Sequence, residues 1–450
     1  MKREPCGSRI TYHVPRRTHH ASPMIKLKPL QIFATQLRSF NPSARLFLLA
    51  TVMDGIVYSA WSLFFNFYIL GRGFERDYLG LVNAMPSIAA LLMGIPVGML
   101  SDRIGRKRAM LAGVGLSVVC MGLEVTVLDP TLILVMAFLS GTASMLYYLS
   151  QAPFMMKVSE KHNRTLLFSL NFGLVTLSGA VGNLFAGQLP SIFGNVLNVA
   201  PRSAAAYQAV LLLSVSMSLL TLIPLALIRE PKLKPTGLDQ VRPEIPLRKV
   251  LLRPLTLKLA APNLMIGFGA AILIPYMNVF FLDRFSLPDK TLGLLFSFSA
   301  LLTGIGSVIG PRVETRLGGK IRAVVVTQAA SLAFLELMGF SPYVWLVSIS
   351  FLLRGTLMNM AVPLYRTFTM EQVHEREQGT VNSIVELAWQ VGWAVGPYLS
   401  GVVQEAYGFT PLFVTTGAMY ASSILLTWVF FHKQEALKVG EVASPAAVEV

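Results

Sequence analysis

The chain of 450 residues is 54% apolar and only 14% charged, with a mean hydropathy of +0.59. Water-soluble domains carry about a quarter charged residues, so an ordinary globular protein is excluded. The formal charge of +15 invites a nucleic-acid partner, but that needs Lys and Arg on one folded aqueous face, and here they sit in short clusters between long apolar runs. Two cysteines, Cys6 and Cys120, make no disulfide framework, and all six histidines lie in tails or loops, so neither a metal nor a cofactor is expected.

In chain order, twelve runs are long and apolar enough to cross a hydrocarbon core about 30 Å thick, which takes about 20 helical residues. They lie near 44–71, 78–100, 107–128, 131–156, 165–190 and 205–228, then near 255–282, 290–311, 321–339, 342–365, 379–404 and 411–431. A segment inside a bilayer must satisfy its own backbone groups, and the periodicity is not that of a barrel strand, so each run is predicted to be a helix. The predicted class is an all-α membrane protein with 12 transmembrane helices. Segment 1–43 reads as a basic cytoplasmic tail without the apolar core of a cleaved signal peptide. The longest interior polar stretch, 229–254, divides the spans into 44–228 and 255–431, and 432–450 reads as a second, disordered tail.

Cytoplasmic loops carry an excess of Lys and Arg. Of the 38 such residues, 32 lie in the two tails and the loops after even-numbered spans. The loops after odd-numbered spans hold five, Arg72, Arg76, Arg202, Arg284 and Lys290, while Arg354 lies inside an apolar run. That split predicts an integral protein of a plasma or inner membrane with both termini cytoplasmic.

The two sets of six spans overlay with a nearly constant shift of about 212 to 214 residues. Gly98 falls on Gly310, Asp102 on Glu314, Glu124 on Glu336, Gly141 on Gly355, Gly182 on Gly396 and Gly187 on Gly401. A constant shift across four helix pairs points to duplication and to two pseudo-symmetric six-helix halves, an architecture of secondary transporters with a cavity between the halves.

After the second span comes Gly98-Met99-Leu100-Ser101-Asp102-Arg103-Ile104-Gly105-Arg106-Lys107-Arg108. This resembles the G-x-L-x-D-R-x-G-R-K signature of the major facilitator superfamily at every defining position. A degraded copy, Gly310 to Lys320, follows the eighth span. The resemblance covers roughly 44–431 and implies alternating access, with Gly98, Asp102, Arg103, Gly105, Arg106 and Lys107 forming a conformational switch. It implies that Asp102 meets the start of the eleventh span near Thr380, Val381 and Asn382, latching the outward-open state, while Gly98 lets helices approach closely. Arg103, Arg106, Lys107 and Arg108 are equally explained as an orientation signal.

Ionisable groups at membrane depth are costly and usually face a cavity or a partner. Asp54, Arg354 and Glu386 are the deep ones. Asp54 shares a helical face with Tyr58, Trp61, Phe65 and Tyr68, a stripe that is either core packing or a cavity wall. Tyr68, at the end of the span, reads as part of the interfacial belt; the family's cavity is lined by its first, fourth, seventh and tenth helices, which favours the cavity for the rest of this stripe. Arg354 shares a face with Met358, Ala361 and Tyr365; Glu386 shares one with Trp389, Gln390, Trp393 and Pro397. Arg354 and Glu386, on consecutive spans, are predicted to pair, as a functional or a purely structural bridge. Glu124 and Glu336 are expected to snorkel to the interface. Further lining candidates are Tyr147, Gln151 and Phe154 on the fourth span, and Asn263, Tyr276, Asn278 and Phe280 on the seventh.

Desolvation raises a carboxylate's pKa and a nearby Arg lowers it, so a carboxylate alternating between such surroundings would carry a proton. Asp54, whose span shows no basic partner, is favoured over Glu386. A lining rich in aromatic and Met residues favours an amphipathic substrate over a sugar. The expected activity is proton-coupled efflux of amphipathic small molecules by a monomer; the alternative is import of a nutrient such as a sugar or organic acid. The helix 5 Gly-Pro of drug exporters is missing after Gly182, and Phe138 stands where their fourth-span Arg is expected. No nucleophile–base pair, metal cluster or G-x-x-x-x-G-K-[ST] loop is found, so an enzyme or a direct ATP-driven pump is not expected.

Overall fold

An Asn41 side chain that accepts from Ala44 N at 2.8 Å, followed by Pro42 at the first helical position, opens helix α1, Pro42–Gly71. The chain then runs through α2 Arg76–Ile104, α3 Arg106–Thr126, α4 Pro130–Val158, α5 Arg164–Ala186, the short α6 Leu189–Leu197 and α7 Ala204–Leu227. The second set is α8 Pro254–Leu273, a 3-10 turn Ile274–Tyr276, α9 Met277–Phe285, α10 Asp289–Leu317, α11 Lys320–Phe340, α12 Val344–Glu371, α13 Gln378–Tyr407 and α14 Thr410–Ala443. This computed structural model describes residues 40–160, 163–229, 250–374 and 377–443, with backbone alone for Thr165 and 433–443. The N-terminal tail before Phe40 and most of the central loop lie outside the described residues.

Among the described residues, eleven helical segments are long and apolar enough to cross a membrane, with α5 and α6 merged into one and α8 to α9 into another. The twelfth is α13, 30 residues long and made more polar by Asn382, Ser383, Glu386 and Gln390. The expected twelve-span, all-α fold is the one observed. One boundary differs: α14 continues to Ala443, past the predicted end at 431. Residues 433–443 contain no Pro and a single Gly, Gly440, so nothing interrupts the backbone ladder until the chain nears Pro445.

The duplication is visible in the packing. Within the first half, a Cβ on Gly182 would meet Ser59 Oγ and lie 2.7 Å from Ile56 O; in the second, one on Gly396 would lie 2.7 Å from the Ala271 side chain. Gly141 packs on Pro86, and Gly355 faces Ser299 in the same register. Between the halves the relation repeats crosswise. Gly80 of α2 touches the Pro397 carbonyl of α13, while a Cβ on Gly293 of α10 would come 2.5 Å from Asn183 O of α5. Gly401 meets Arg76, and a Cβ on Gly187 would lie 2.9 Å from Asp289 O. Small residues permit this approach where helices have only packing to hold them in lipid.

Every hydrogen bond or ion pair that joins the halves, among the described residues, lies toward the end opposite Asp102. Arg76 Nη2 pairs with Asp283 at 2.7 Å, and Arg202 Nη2 donates to Leu287 O at 2.7 Å. Tyr207 donates to Asp289 at 3.3 Å. Deepest is an asparagine pair on the duplication register: Asn66 Nδ2 donates to Asn278 Oδ1 at 3.0 Å and to Pro275 O at 2.7 Å, while Asn278 Nδ2 donates to Leu63 O at 2.8 Å. Pro275 sits in the break between α8 and α9, so the carbonyl freed there is satisfied by the other half.

Candidate transport cavity

The end that carries Asp102 is built differently. Gly105, between α2 and α3, has φ 91°, and Gly318, between α10 and α11, has φ 70°. Both lie in the region that favours glycine, which gives the glycine of the G-R-K run a backbone role. Asp102 pairs with Arg106 within its own half, and Arg106 Nη1 also donates to Ser101 Oγ at 2.7 Å. In the second half Lys320 pairs with Glu371 and lies 4.0 Å from Glu314. No hydrogen bond or ion pair links Asp102 to α13 among the described residues, and a Cβ on Gly98 would meet nothing within 4 Å. The close approach and the contact with Thr380, Val381 and Asn382 expected from the motif are therefore absent from this conformation, in which the halves part at that end. Arg103 is solvent-exposed, and Lys107 donates to Ala226 O at 2.6 Å.

Parted halves leave space between them. A cavity of about 670 Å³ is walled mainly by the first half, and one of about 380 Å³ by the second; both touch Ile274 and Trp393, so they adjoin. Sizes of this order suit a small-molecule ligand.

The α1 stripe faces this space: Asp54, Tyr58, Trp61 and Phe65 all line the larger cavity, with Trp61 and Phe65 stacked at 4.7 Å between centroids. Tyr68, at the end of the stripe, does not reach an interfacial belt. It is 2% exposed, donates to Val125 O at 2.6 Å and accepts from Arg72 at 2.9 Å. Asp54 forms no ion pair among the described residues; its polar neighbour is Tyr148, whose hydroxyl approaches at 3.4 Å. Glu124 corrects the expectation that it snorkels outward. It is 3% exposed, lines the same cavity, and its Oε1 has no hydrogen-bond partner. Glu336, its counterpart, is half-buried against Gly417.

On the fourth span Tyr147 lines the cavity, but Gln151 and Phe154 do not; Phe154 is buried against Phe47, with centroids 5.3 Å apart. From the α8–α9 region Asn278 reaches the larger cavity and Asn263 the smaller. Tyr276 and Phe280 are fully buried away from both, the Tyr276 hydroxyl donating to Pro397 O at 2.8 Å. In the second half Met358, Ala361, Tyr365 and Trp389 line the smaller cavity, Gln390 lines the larger, and Trp393 lines both.

The expected Arg354–Glu386 bridge does not form. Glu386 pairs with Arg366 at 3.1 Å near the mouth, with about half its side chain exposed. Arg354 is 6% exposed, with Tyr420 beside its guanidinium and, among the described residues, no carboxylate in ion-pair range. Its carbonyl accepts from Ser331 at 3.0 Å. The reason is topological: α12 packs on α10 and α11, whereas α13 packs on α8 and α2, so these two helices, consecutive in the chain, are not neighbours along their length. Tyr148, Gln328 and Tyr420 line the space although nothing in the sequence marked them, and Asn66 and Asn278 could have been paired from the sequence, since they differ by the same 212 residues that align the halves.

Twelve membrane-length helices in two related halves, closed at one end over a shared cavity, define a membrane transporter. A family model described as Major Facilitator Superfamily matches residues 46–397, and the chain belongs to that family. Its members are transporters rather than enzymes. Among curated relatives, a "Multi-drug resistance efflux pump PmrA homolog" from Lactococcus lactis is 30% identical over 156 residues, 34% of this chain and 37% of that protein. "Multidrug resistance protein MdtG" from Salmonella dublin is 28% identical over 160 residues, 34% of this chain and 39% of that protein. The chain thus matches well under half the length of these relatives. Among solved structures, a bacterial homolog of the human lysosomal transporter Spinster, in an inward-facing and unoccupied conformation, superposes with a TM-score of 0.65 at 16% identity. That superposition covers 93% of this chain and 100% of the other.

Proposed function

We propose that the protein is a secondary transporter that exports amphipathic small molecules from the cytoplasm in exchange for protons, working as a monomer by alternating access. In this reading both termini are cytoplasmic and the membrane is the cell or inner membrane, as the 32-to-5 distribution of Lys and Arg between alternate loops favours. The open end with Asp102 then faces the cytoplasm. The observation that carries the reading is Asp54: a carboxylate without a basic partner, set on the aromatic stripe of Tyr58, Trp61 and Phe65, in a cavity sealed at the far end by contacts between the halves. A proton on Asp54 removes a charge that is expensive beside apolar surface, and its loss on the other side of the membrane restores it. Walls of aromatic and Met side chains can repack around varied apolar bodies, and the efflux names of the partial relatives point in the same direction.

The test is reconstitution into vesicles with an imposed pH gradient and a panel of amphipathic fluorescent dyes. Wild type should move dye against its gradient only while the pH difference lasts. Asp54→Asn should lose that coupling yet retain dye counterflow at equal pH. Unaltered response of Asp54→Asn to the pH gradient would remove Asp54 from the coupling path.

A further inference from the structure

We infer that the second half of the cavity is a binding subsite for the carboxylate of an amphipathic organic acid, with Arg354 as its anchor. The inference deepens the transport reading above and rests on it only in taking the cavity as the substrate's path.

Arg354 lies ten residues into α12, is 6% exposed and lines the 380 Å³ cavity. A guanidinium stays protonated at any physiological pH. Buried cations are ordinarily paired, because an uncompensated charge in a low-dielectric interior is costly. Arg354 is not: among the described residues it makes no ion pair and its Nε has no hydrogen-bond partner, and the Tyr420 phenol that can hydrogen-bond its guanidinium brings no counter-charge. Glu386 on the same cavity wall is already engaged by Arg366 at 3.1 Å.

A second donor is orphaned on the same wall. The indole Nε1 of Trp393 is buried without a partner, and Trp393 lines this cavity together with Trp389, their rings 6.1 Å apart. Among the described residues these two donors share the cavity with one unpartnered acceptor, Gln328 Oε1, which is neutral; a carboxylate offers two oxygens and the negative charge that Arg354 lacks beside it. Ile266, Ala270, Met358 and the two indoles give part of the wall an apolar and aromatic surface that suits the body of an organic molecule, beside polar groups such as Asn359 and Gln328. The opposing wall carries Asp54 and Glu124 and no Lys or Arg among its lining residues, so the cation that would draw a ligand acid lies in the second half.

The experiment measures equilibrium binding of radiolabelled 4-phenylbutyrate to purified full-length protein in neutral detergent at a single pH, with 4-phenylbutyramide and 4-phenylbutylamine as competitors. The three share one apolar body and differ at the head group. The carboxylate should bind at least ~10-fold tighter than the amide, as expected for hydrogen bonds to a charged group. Arg354→Met should reduce it to the level of the amide, and Arg354→Lys should retain part of the preference. Should the Met variant fail to purify, the order of the three competitors on wild type and on the Lys variant still decides. Equal binding of the three, strongest binding of the amine, or an intact preference in Arg354→Met would overturn the proposal. So would displacement of the label by dioleoylphosphatidylglycerol at concentrations where added carboxylate has no effect, which would make the occupant a lipid headgroup. Because no gradient is imposed, loss of dye efflux with the carboxylate preference intact would fault only the transport reading, and the converse only this one.

Discussion

Asn66 gives the most direct handle on which end of the cavity is open. Its side chain donates to Pro275 O and Asn278 Oδ1 of the other half and accepts from Asn83 Nδ2 at 3.1 Å. Asn66→Ala removes all three bonds. Between membrane helices such bonds average about 0.6 kcal/mol each, and two of the three cross to the other half, Asn83 belonging to the same half as Asn66, so about 1 kcal/mol of the closure opposite Asp102 should be lost, or roughly 5- to 10-fold in the balance between conformations. Carbonyls left behind in the α8–α9 break become accessible to water once that end opens, so the loss falls mainly on the closed arrangement. Spin labels at Arg103 and Arg316, both exposed on the Asp102 side of their halves, report the outcome by double electron–electron resonance in a background without Cys6 and Cys120. The distribution should move toward shorter separations as the Asp102 end closes. An unchanged distribution, or a longer one, would show that the asparagine pair does not hold the halves together, and the assignment of this end as a gate would fail.

Other perturbations have signs of their own. Gly293→Ala places a methyl 2.5 Å from Asn183 O and 2.7 Å from Gly187 Cα, and overpacking of about 1–3 kcal/mol should shift the same label pair toward shorter separations. Gly179→Ala, on the facing helix with nothing within 4 Å, is the matched control and should leave the distribution in place. Asp102→Asn should insert normally but transport poorly, and if Asp102 latches the alternative conformation it should lengthen the label separation, by about 2- to 5-fold in population. Full transport rates in Asp102→Asn, measured in the dye assay, would leave the motif with an orientation role alone.

Much of the site could be read from the chain because helical period is a local property. Asp54, Tyr58, Trp61 and Phe65 recur at the spacing of one helix face, and that face does line the cavity. The errors share a cause, which is the rotation of each helix about its own axis. Gln151 lies one turn beyond Tyr147 but misses the cavity, and Tyr276 is two residues from the lining Asn278 yet is turned into the core by the 3-10 break. Glu124 is near a span end in the sequence, where snorkelling is the reasonable expectation; only the placement of α3 against its neighbours shows that its face looks inward. Arg354 and Glu386 failed for a different reason, since adjacency along the chain does not give adjacency in a bundle that interleaves its helices.

What the amino-acid sequence settled unaided follows from the bilayer as a solvent. Apolar runs of sufficient length must become helices, their number can be counted, and a duplicated order of glycines and charges forecasts two related halves. Which end those halves close, whether Gly98 or Gly293 is the glycine under pressure, and that Arg354 does not meet Glu386 were decided by packing between helices far apart in the chain. Lipid supplies no solvent contrast to tell one apolar face from another, so no periodicity in the chain could have encoded those contacts.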